Sequence, residues 1–557
     1  MKKMKKISRW QLIAIGVVIS TVITLIIDYL FPTAWNIRDE FTWIKVFFAV
    51  LLYAGNNALI LGYAHSKYLI AKDERFVNIP FLIPIVLIPI FLICLLTGAQ
   101  IFNATNYARI IEVERVESGN AILSEKDAGS IALMDTASAK QLGDREIGAI
   151  ENFSAFNVSE DYIQLNIHGD AVKVSPLEYT GFFKWMGNRE EGVTGYVSVS
   201  PTTMTAEYVQ LKEGMKYVPS AYFNDDLNRH IHYQFPTLIY GNIHFEVDEK
   251  GTPYYVSSVY DKTIGVFGGE KVIGAIITDP VSGNSEYYDM ADIPQWVDYV
   301  VPGDLICSLY NVAYKNINGF WNGTSFGANK GCMQTTTIDN YTEDEDGEEV
   351  VEAGTDYGYI AKDGDIYVYT GVTSMAADSS NLGFIMVNER TGEYKYFAVS
   401  SANEQSAMNA AEGEVQQYGY KASFPSLINV DGELTYIGVL KDQSGLVKLY
   451  YMVNIKDYGK VVVADTRENC ITKYAEKLGL SNNLEKPQEP EDIVKTPVEF
   501  TISVIRYIDV NGNTYVYMGT EDGTVYKALF SDNEKLLFAK VGDVIKGHLI
   551  NGVLIVD

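Results

Sequence analysis

A chain of 557 residues has room for several domains, and a composition 47% apolar and 21% charged is globular, which excludes a largely disordered protein. The net charge of −27 argues against nucleic-acid binding, which needs a basic footprint. Residues 1–102 hold ten Lys and Arg against five Asp and Glu, and the remaining chain holds 34 against 66, so a basic N-terminal segment precedes an acidic body.

Residues 12–31 are apolar enough to span a bilayer, which takes about 20 residues. Lys2, Lys3, Lys5, Lys6 and Arg9 precede them. The run ends in Asp28, Tyr29, Phe31 and Pro32 rather than in a small-residue cleavage site, so it reads as an uncleaved helix. Further spans are expected over residues 44–63 and 79–102. The loop 32–43 carries Arg38 beside Asp39 and Glu40, whereas the loop 64–78 carries Lys67, Lys72 and Arg75. The positive-inside rule places the N-terminus and the second loop in the cytoplasm, and everything after residue 102 outside. Asn56 and Asn57 fall mid-span, where polar groups face another helix. Pro80, Pro84 and Pro89 predict a kinked third span packed on the others.

Residues 103–160 read as a stalk with a short helix over 136–142, N-capped by Asp135 and stopped by Gly143. From Asp161 the pattern alternates with period two, giving strands at 162–167, 171–174, 195–199 and 205–209. A helix is expected between residues 215 and 230, with Pro219 in its first turn.

Three turn motifs then recur: Thr278-Asp279-Pro280-Val281-Ser282-Gly283, Asn388-Glu389-Arg390-Thr391-Gly392 and Asn454-Ile455-Lys456-Asp457-Tyr458-Gly459. Each follows an apolar strand and precedes another strand, then a helix. The helices are expected over 292–300 (Ile293, Trp296, Val297 and Val300 on one face), 405–417, and 468–478, capped by Thr466 with Gly479 behind. Phe235-Pro236-Thr237-Leu238-Ile239 and Phe424-Pro425-Ser426-Leu427-Ile428 open two of the units. Asp248-Glu249-Lys250-Gly251, Asp363-Gly364 and Asp431-Gly432 mark hairpins. Each unit is thus a small antiparallel meander with a helix over one face. The motif Met386 to Gly392, and more loosely Ile277 to Gly283, resembles the PepSY domain; the third copy departs, with Tyr458 where Thr or Ser is expected. That resemblance implies an extracytoplasmic interaction or inhibitory module without catalysis.

Residues 316–355, with Gly323, Gly327 and Gly331 and the acidic run Glu343-Asp344-Glu345-Asp346, read as a surface insertion. Residues 481–497 hold Pro487, Pro490 and Pro497 and read as a linker. Residues 498–557 carry five expected strands (501–508, 514–519, 524–530, 536–540 and 552–556), with turns at Asn511-Gly512 and Asp522-Gly523, which suits a small OB- or SH3-like barrel. The expected fold is therefore an α+β ectodomain of meander-plus-helix units (161–234, 235–315, 356–423, 424–480) with a small C-terminal β-barrel, on a three-helix transmembrane anchor.

Chemistry is sparse. Gly323-Thr324-Ser325-Phe326-Gly327 matches a nucleophile elbow, but that motif needs a strand before it, a helix after it and a downstream acid and His. Cys332 is a candidate thiol nucleophile with no histidine between His244 and His548 to serve it. His230 and His232 fall on one face if they lie in a strand, and with His244 they are candidate zinc ligands. The residues around Asp344 lack the acids of a calcium loop. No pattern implies a cofactor. Cys94 lies in an apolar run; Cys307, Cys332 and Cys470 show no CxxC spacing, and a disulfide among them cannot be chosen. The 39 tyrosines fit β-structure or a sugar- or peptide-binding surface. The leading expectation is a non-enzymatic scaffold, assembly or interaction protein of a bacterial cell envelope. Its partners would be the membrane, other envelope proteins or a cell-wall polymer. The rivals are a cell-wall hydrolase or transpeptidase using Cys332 or the His230/His232 pair, and a sensor subunit.

Overall fold

The computed structural model describes residues 9–66, 79–116, 123–124, 134, 136–149, 153–343, 349–479, 496–510, 513–521, 523–529, 536, 539–550 and 553–556. The basic N-terminal Lys2, Lys3, Lys5 and Lys6, the loop residues Lys67, Lys72 and Arg75, most of the linker, Asp344 to Asp346 and the Asn511-Gly512 turn lie outside these residues. Two compact units emerge, residues 1–481 and 482–557.

The chain opens with α1 (Arg9–Leu30), α2 (Glu40–Ser66) and α3 (Ile79–Gly98), helices long and apolar enough to cross a membrane. Asn56 Nδ2 donates to Gly16 O and to Ser20 Oγ, both at 3.1 Å, so this mid-span amide serves helix packing. Gly16 admits the approach, since a Cβ there would lie 2.3 Å from Asn57 Oδ1. Pro84 and Pro89 lie inside α3.

After α4 (Gln100–Tyr107), β1 (Val113–Val116) pairs in parallel with residues 394–397, and β2 (Leu123–Ser124) pairs in parallel with 428–429. These two described pieces of the expected stalk are edge strands of sheets built far later in the chain, while residues 117–122 and 125–133 lie outside the described residues. The helix α5 (Thr136–Gly143) follows, as its pattern predicts.

Four antiparallel meanders come next, each followed by a helix. The first is β4 (Ile163–Ile167), β5 (Asp170–Tyr179), β6 (Val193–Ser200) and β7 (Thr205–Met215), with β3 (Phe156–Val158) against β5, α6 (Phe182–Asn188) between β5 and β6, and α7 (Leu227–Gln234) at the end. The expected helix over 215–230 thus begins later, because β7 runs on to Met215 and Asp226 supplies the N-cap, accepting from Arg229 N. The second is β8 (Ile239–Val247), β9 (Pro253–Ile264), β10 (Gly268–Thr278) and β11 (Ser285–Asp289), closed by α8 (Gly303–Lys315). Residues 292–300 are not helical: Ile293, Val297 and Val300 are buried, but along an irregular segment whose end is held by Val300 and Val301 N–H on Glu389 O.

The expected insertion is partly sheet: β12 (Met333–Thr335) joins the third sheet, and β13 (Thr337–Glu343) pairs with β14 (Glu349–Thr355). The third meander is β15 (Gly358–Lys362), β16 (Asp365–Ser374), β17 (Ala377–Asn388) and β18 (Tyr394–Phe397), with β19 (Ser401–Ala402) on β17 and then α9 (Glu404–Glu414). After β20 (Lys421–Ala422) comes the fourth: β21 (Ser426–Val430), β22 (Glu433–Lys441), β23 (Val447–Asn454), β24 (Val461–Ala464) and α10 (Arg467–Leu478). Thr466 and Gly479 cap α10 as the sequence indicates, the latter left-handed at φ 75°.

The turn chemistry recurs as geometry. Asp363-Gly364 and Asp431-Gly432 form two-residue hairpins with both φ positive, and so does His168-Gly169. Asp279, Asn388 and Asn454 each accept two following backbone N–H groups on one side-chain oxygen.

The cores lie between successive sheets. Tyr255 and Val259 of β9 face the first sheet, while Val256 faces the third. Ile385 and Val387 of β17 face the second sheet, while Phe384 and Met386 face the fourth. The inner sheets are therefore buried on both faces by their neighbours. That differs from the expected helix-covered sheet with one polar face, and it accounts for the unbroken apolar run 384–387.

In the second unit, β25 (Thr496–Thr501), β26 (Val504–Val510), β27 (Asn513–Gly519), β28 (Val525–Leu529), β29 (Val544–Ile550) and β30 (Val553–Val556) form one sheet in the order β25-β29-β30-β28-β27-β26. No pairing joins β25 to β26 among the described residues, so the sheet is not a closed barrel. The strand expected from 536 is absent at Leu536, which is buried beside Phe500 and Met518.

Candidate functional site

The sequence candidates do not converge. His230 and His232 lie on α7, not on a strand, so two residues of spacing turns them to different sides of the helix. His230 Nε2 is 2.6 Å from Gly283 O and 2.7 Å from Gln234 Nε2. His232 is buried, its Nδ1 has no partner, and burial pushes its pKa below the ordinary value. His244 has both nitrogens engaged, Nδ1 at 2.8 Å from Asn242 O and Nε2 at 2.8 Å from Glu246 Oε1. Among the described residues no group of His, Cys, Asp or Glu is arranged to hold a metal ion.

Cys332 is buried, accepts from Asn322 Nδ2 at 3.0 Å and faces Lys315 O. Burial raises its pKa, the reverse of an activated thiol. Ser325 follows the short 3-10 turn Phe320–Gly323 and precedes no helix, so the elbow geometry is missing. Cys307 is buried on α8 with its pKa pushed up to about 12. It lines a cleft of about 510 Å³ of mixed character, with Gln100, Asp304, Asn311, Lys315 and Met375. All four cysteines are free.

Two arrangements stand out. The first is a collar where the sheets meet the apolar helices. The β9–β10 hairpin tip inserts Phe267, which is 8% exposed, beside Phe91 of α3 at 5.4 Å and Trp43 of α2 at 6.3 Å between ring centres. Glycines permit this approach: a Cβ on Gly268 would lie 2.6 Å from Gly98 O, and Gly265 sits at φ +63° against Thr97. The loop after α1 is tied down too. Trp35 N donates to Pro236 O at 2.7 Å, and Asn36 Nδ2 to Thr237 O at 3.0 Å. Hence the first Phe-Pro-Thr-Leu-Ile motif serves as a docking strip. Arg38 pairs with Asp261 at 2.7 Å. Tyr107 OH and Asn316 Nδ2 close the third helix, bonding to Gly98 O and Gln100 Oε1.

The second is a sealed acidic seam joining three sheets. Glu246, Asp298 and Glu389 are 0%, 1% and 1% exposed. Glu246 accepts from Asp298 N at 3.0 Å and Tyr299 N at 3.2 Å as well as facing His244. Asp298 Oδ2 accepts from Asn166 N of the first sheet at 2.5 Å, leaving Oδ1 without a partner. Glu389 Oε1 has none either. Burial and the neighbouring carboxylates push Asp298 and Glu389 well above the ordinary range, against a smaller opposing pull on Glu389 from the buried Lys173. With no solvent access, this cluster is a titratable joint between sheets rather than a place for substrate.

The sequence reading missed both. Phe267 had a signal, an aromatic between Gly265 and Gly268-Gly269 on a hairpin tip. The seam had little beyond His244-x-Glu246, whose spacing puts both side chains on one face of β8. No protein-family model matches the chain, and no curated protein matches it.

Proposed function

We propose that this chain is a non-enzymatic scaffold or assembly protein of a bacterial cell envelope, held in the membrane by α1, α2 and α3. Its N-terminus lies in the cytoplasm and its sheets outside. The observation that carries this reading is the collar. Hydrogen bonds from Trp35 and Asn36, the Arg38–Asp261 pair and the Phe267 contact hold the soluble body at a set position on the helix ends. A scaffold gains from that, because modules held together at one place on the membrane meet a partner at a raised effective concentration, so that second contacts become intramolecular. The acidic surface, the successive meander-and-helix modules with their PepSY-like turns, and a small C-terminal β-unit for protein or glycan contact fit the same role. The surroundings of Cys332 and Ser325 weigh against the hydrolase or transpeptidase alternative.

Complementation in the source organism tests the reading. Cys332→Ala, Ser325→Ala and His230→Ala retain function, whereas deletion of residues 1–102 abolishes it. Loss of function in Cys332→Ala, with folding intact, would replace the scaffold with an enzyme.

A further inference from the structure

The first sheet exposes an apolar patch on α6 and on the turn that precedes α7. Phe183, Met186 and Phe223 are 79%, 52% and 56% exposed. They are held by a continuous set of rings: Phe182 lies 5.5 Å from Phe183 and 6.1 Å from Phe223, and the buried Trp185 lies 5.8 Å from Phe223. The buried Trp185 and half-buried Phe182 beneath the exposed side chains keep the patch pointed outward, where contact with water is unfavourable.

Its place in the fold says what covers it. Arg229 bridges the patch to the end of α1: its Nε donates to Tyr29 O at 2.8 Å and its Nη1 donates to Phe223 O. The guanidinium also lies 4.4 Å over the Tyr29 ring, and Tyr29 OH donates to Asn224 Oδ1 at 3.1 Å. Tyr29 is the penultimate residue of α1. Phe223 therefore sits at the level where that helix ends. The exposed rings of Phe31, Trp35 and Phe41 stand around the same level, as aromatic side chains do at a membrane–water boundary. Nearby charges form no basic patch that would need an anionic surface: Glu190 and Glu191 follow Lys184 and Arg189 in the chain, and Arg189 is paired to Asp225 at 3.5 Å.

We propose that α6 and Phe223 form an interfacial wedge, with Phe183, Met186 and Phe223 entering the boundary between headgroups and acyl chains of the bilayer that α1, α2 and α3 cross. The inference rests on those helices spanning the membrane. Because the driving force is apolar burial, insertion needs no anionic lipid.

The test uses the full chain with Cys94→Ala, reconstituted in phosphatidylcholine vesicles, with the environment-sensitive fluorophore NBD on Phe183→Cys or, separately, Met186→Cys. A phospholipid with a nitroxide on a shallow acyl carbon quenches both probes, aqueous iodide does not, and adding phosphatidylglycerol leaves the result unchanged. Quenching by iodide and not by the nitroxide lipid would place the patch in water and overturn the proposal. Shielding from both quenchers would mean that protein covers it, which overturns the proposal equally. A probe on Leu25→Cys, exposed on α1, separates the two readings. If it is quenched by nitroxide lipid while the α6 probes are not, the wedge fails and the spans stand. If the Leu25 probe also escapes, the spans themselves fail.

Discussion

The ring of Phe267 lies 5.4 Å from the ring of Phe91, so the tip of a β-hairpin in the second sheet is packed among side chains of an apolar helix that leads into the sheets. The contact joins the second sheet to a helix long and apolar enough to cross a membrane. Removing it should uncouple them. We expect Phe267→Ala to cost about 3 kcal/mol of unfolding free energy, as for a buried aromatic ring, and Phe267→Leu to recover most of it. Unfolding of the reconstituted protein measures this. A loss under about 0.5 kcal/mol would mean that the tip is not held there.

The acidic seam makes stability depend on pH in a defined direction. Asp298 and Glu389 keep their protons above the ordinary carboxylate range near about pH 4. Between that value and their raised pKa values the folded chain binds protons that the unfolded chain has released, so stability falls as pH rises. The groups facing Glu389 include Glu246, Asp298 and Lys173, and the first two oppose its ionisation. Glu389→Gln keeps the shape without the charge. It should flatten the slope from about pH 4 upward and raise stability toward the alkaline end of that range. Urea titrations across that range are the measurement. A slope as steep as in the parent would place the titrating group elsewhere.

Leu427 is 2% exposed in the core shared by the third and fourth sheets. Leu427→Ala should cost roughly 2–5 kcal/mol. Chemical denaturation with unchanged m-value is the readout, and a surface-like effect would remove Leu427 from that core.

The uneven placement of Lys and Arg predicts which side faces out. A cysteine at Asp431, in the exposed hairpin of the fourth sheet, should react with a membrane-impermeant maleimide added to intact cells. A cysteine at Ser66, at the far end of α2, should react only after lysis. The opposite pattern would reverse every statement about side.

Local signals carried the local structure. Thr466 and Gly479 bound α10, Asp363-Gly364 and Asp431-Gly432 make tight hairpins, and Asp279, Asn388 and Asn454 build one kind of turn, because each depends on a few adjacent residues. Where the partner was distant, the sequence misled. Ile293, Val297 and Val300 have helical spacing, yet they are buried along a segment tied to Glu389, in the turn that follows β17 of the third meander. Val113 and Val116 look like a polar stalk with scattered apolar residues because their strand partners lie beyond residue 390. The histidine pair was placed differently for a simpler reason: α7 runs on to Gln234 instead of ending near residue 230, which replaces a strand periodicity of two at His230 and His232 by a helical one.

The early strands β1 and β2 carry a consequence for biogenesis. Val113 must wait for Tyr394, and Leu123 for Ile428, while the first two sheets emerge and fold between them. During synthesis the segment that follows the apolar helices therefore carries unpaired strand edges until the late strands are made. Such late, long-range closure is slow and leaves edges able to pair with the wrong chain. A product cut short before β18 lacks the partner of β1 altogether. Completion of these sheets is thus tied to synthesis of the C-terminal half, and a chain that lacks it keeps an unpaired edge at β1.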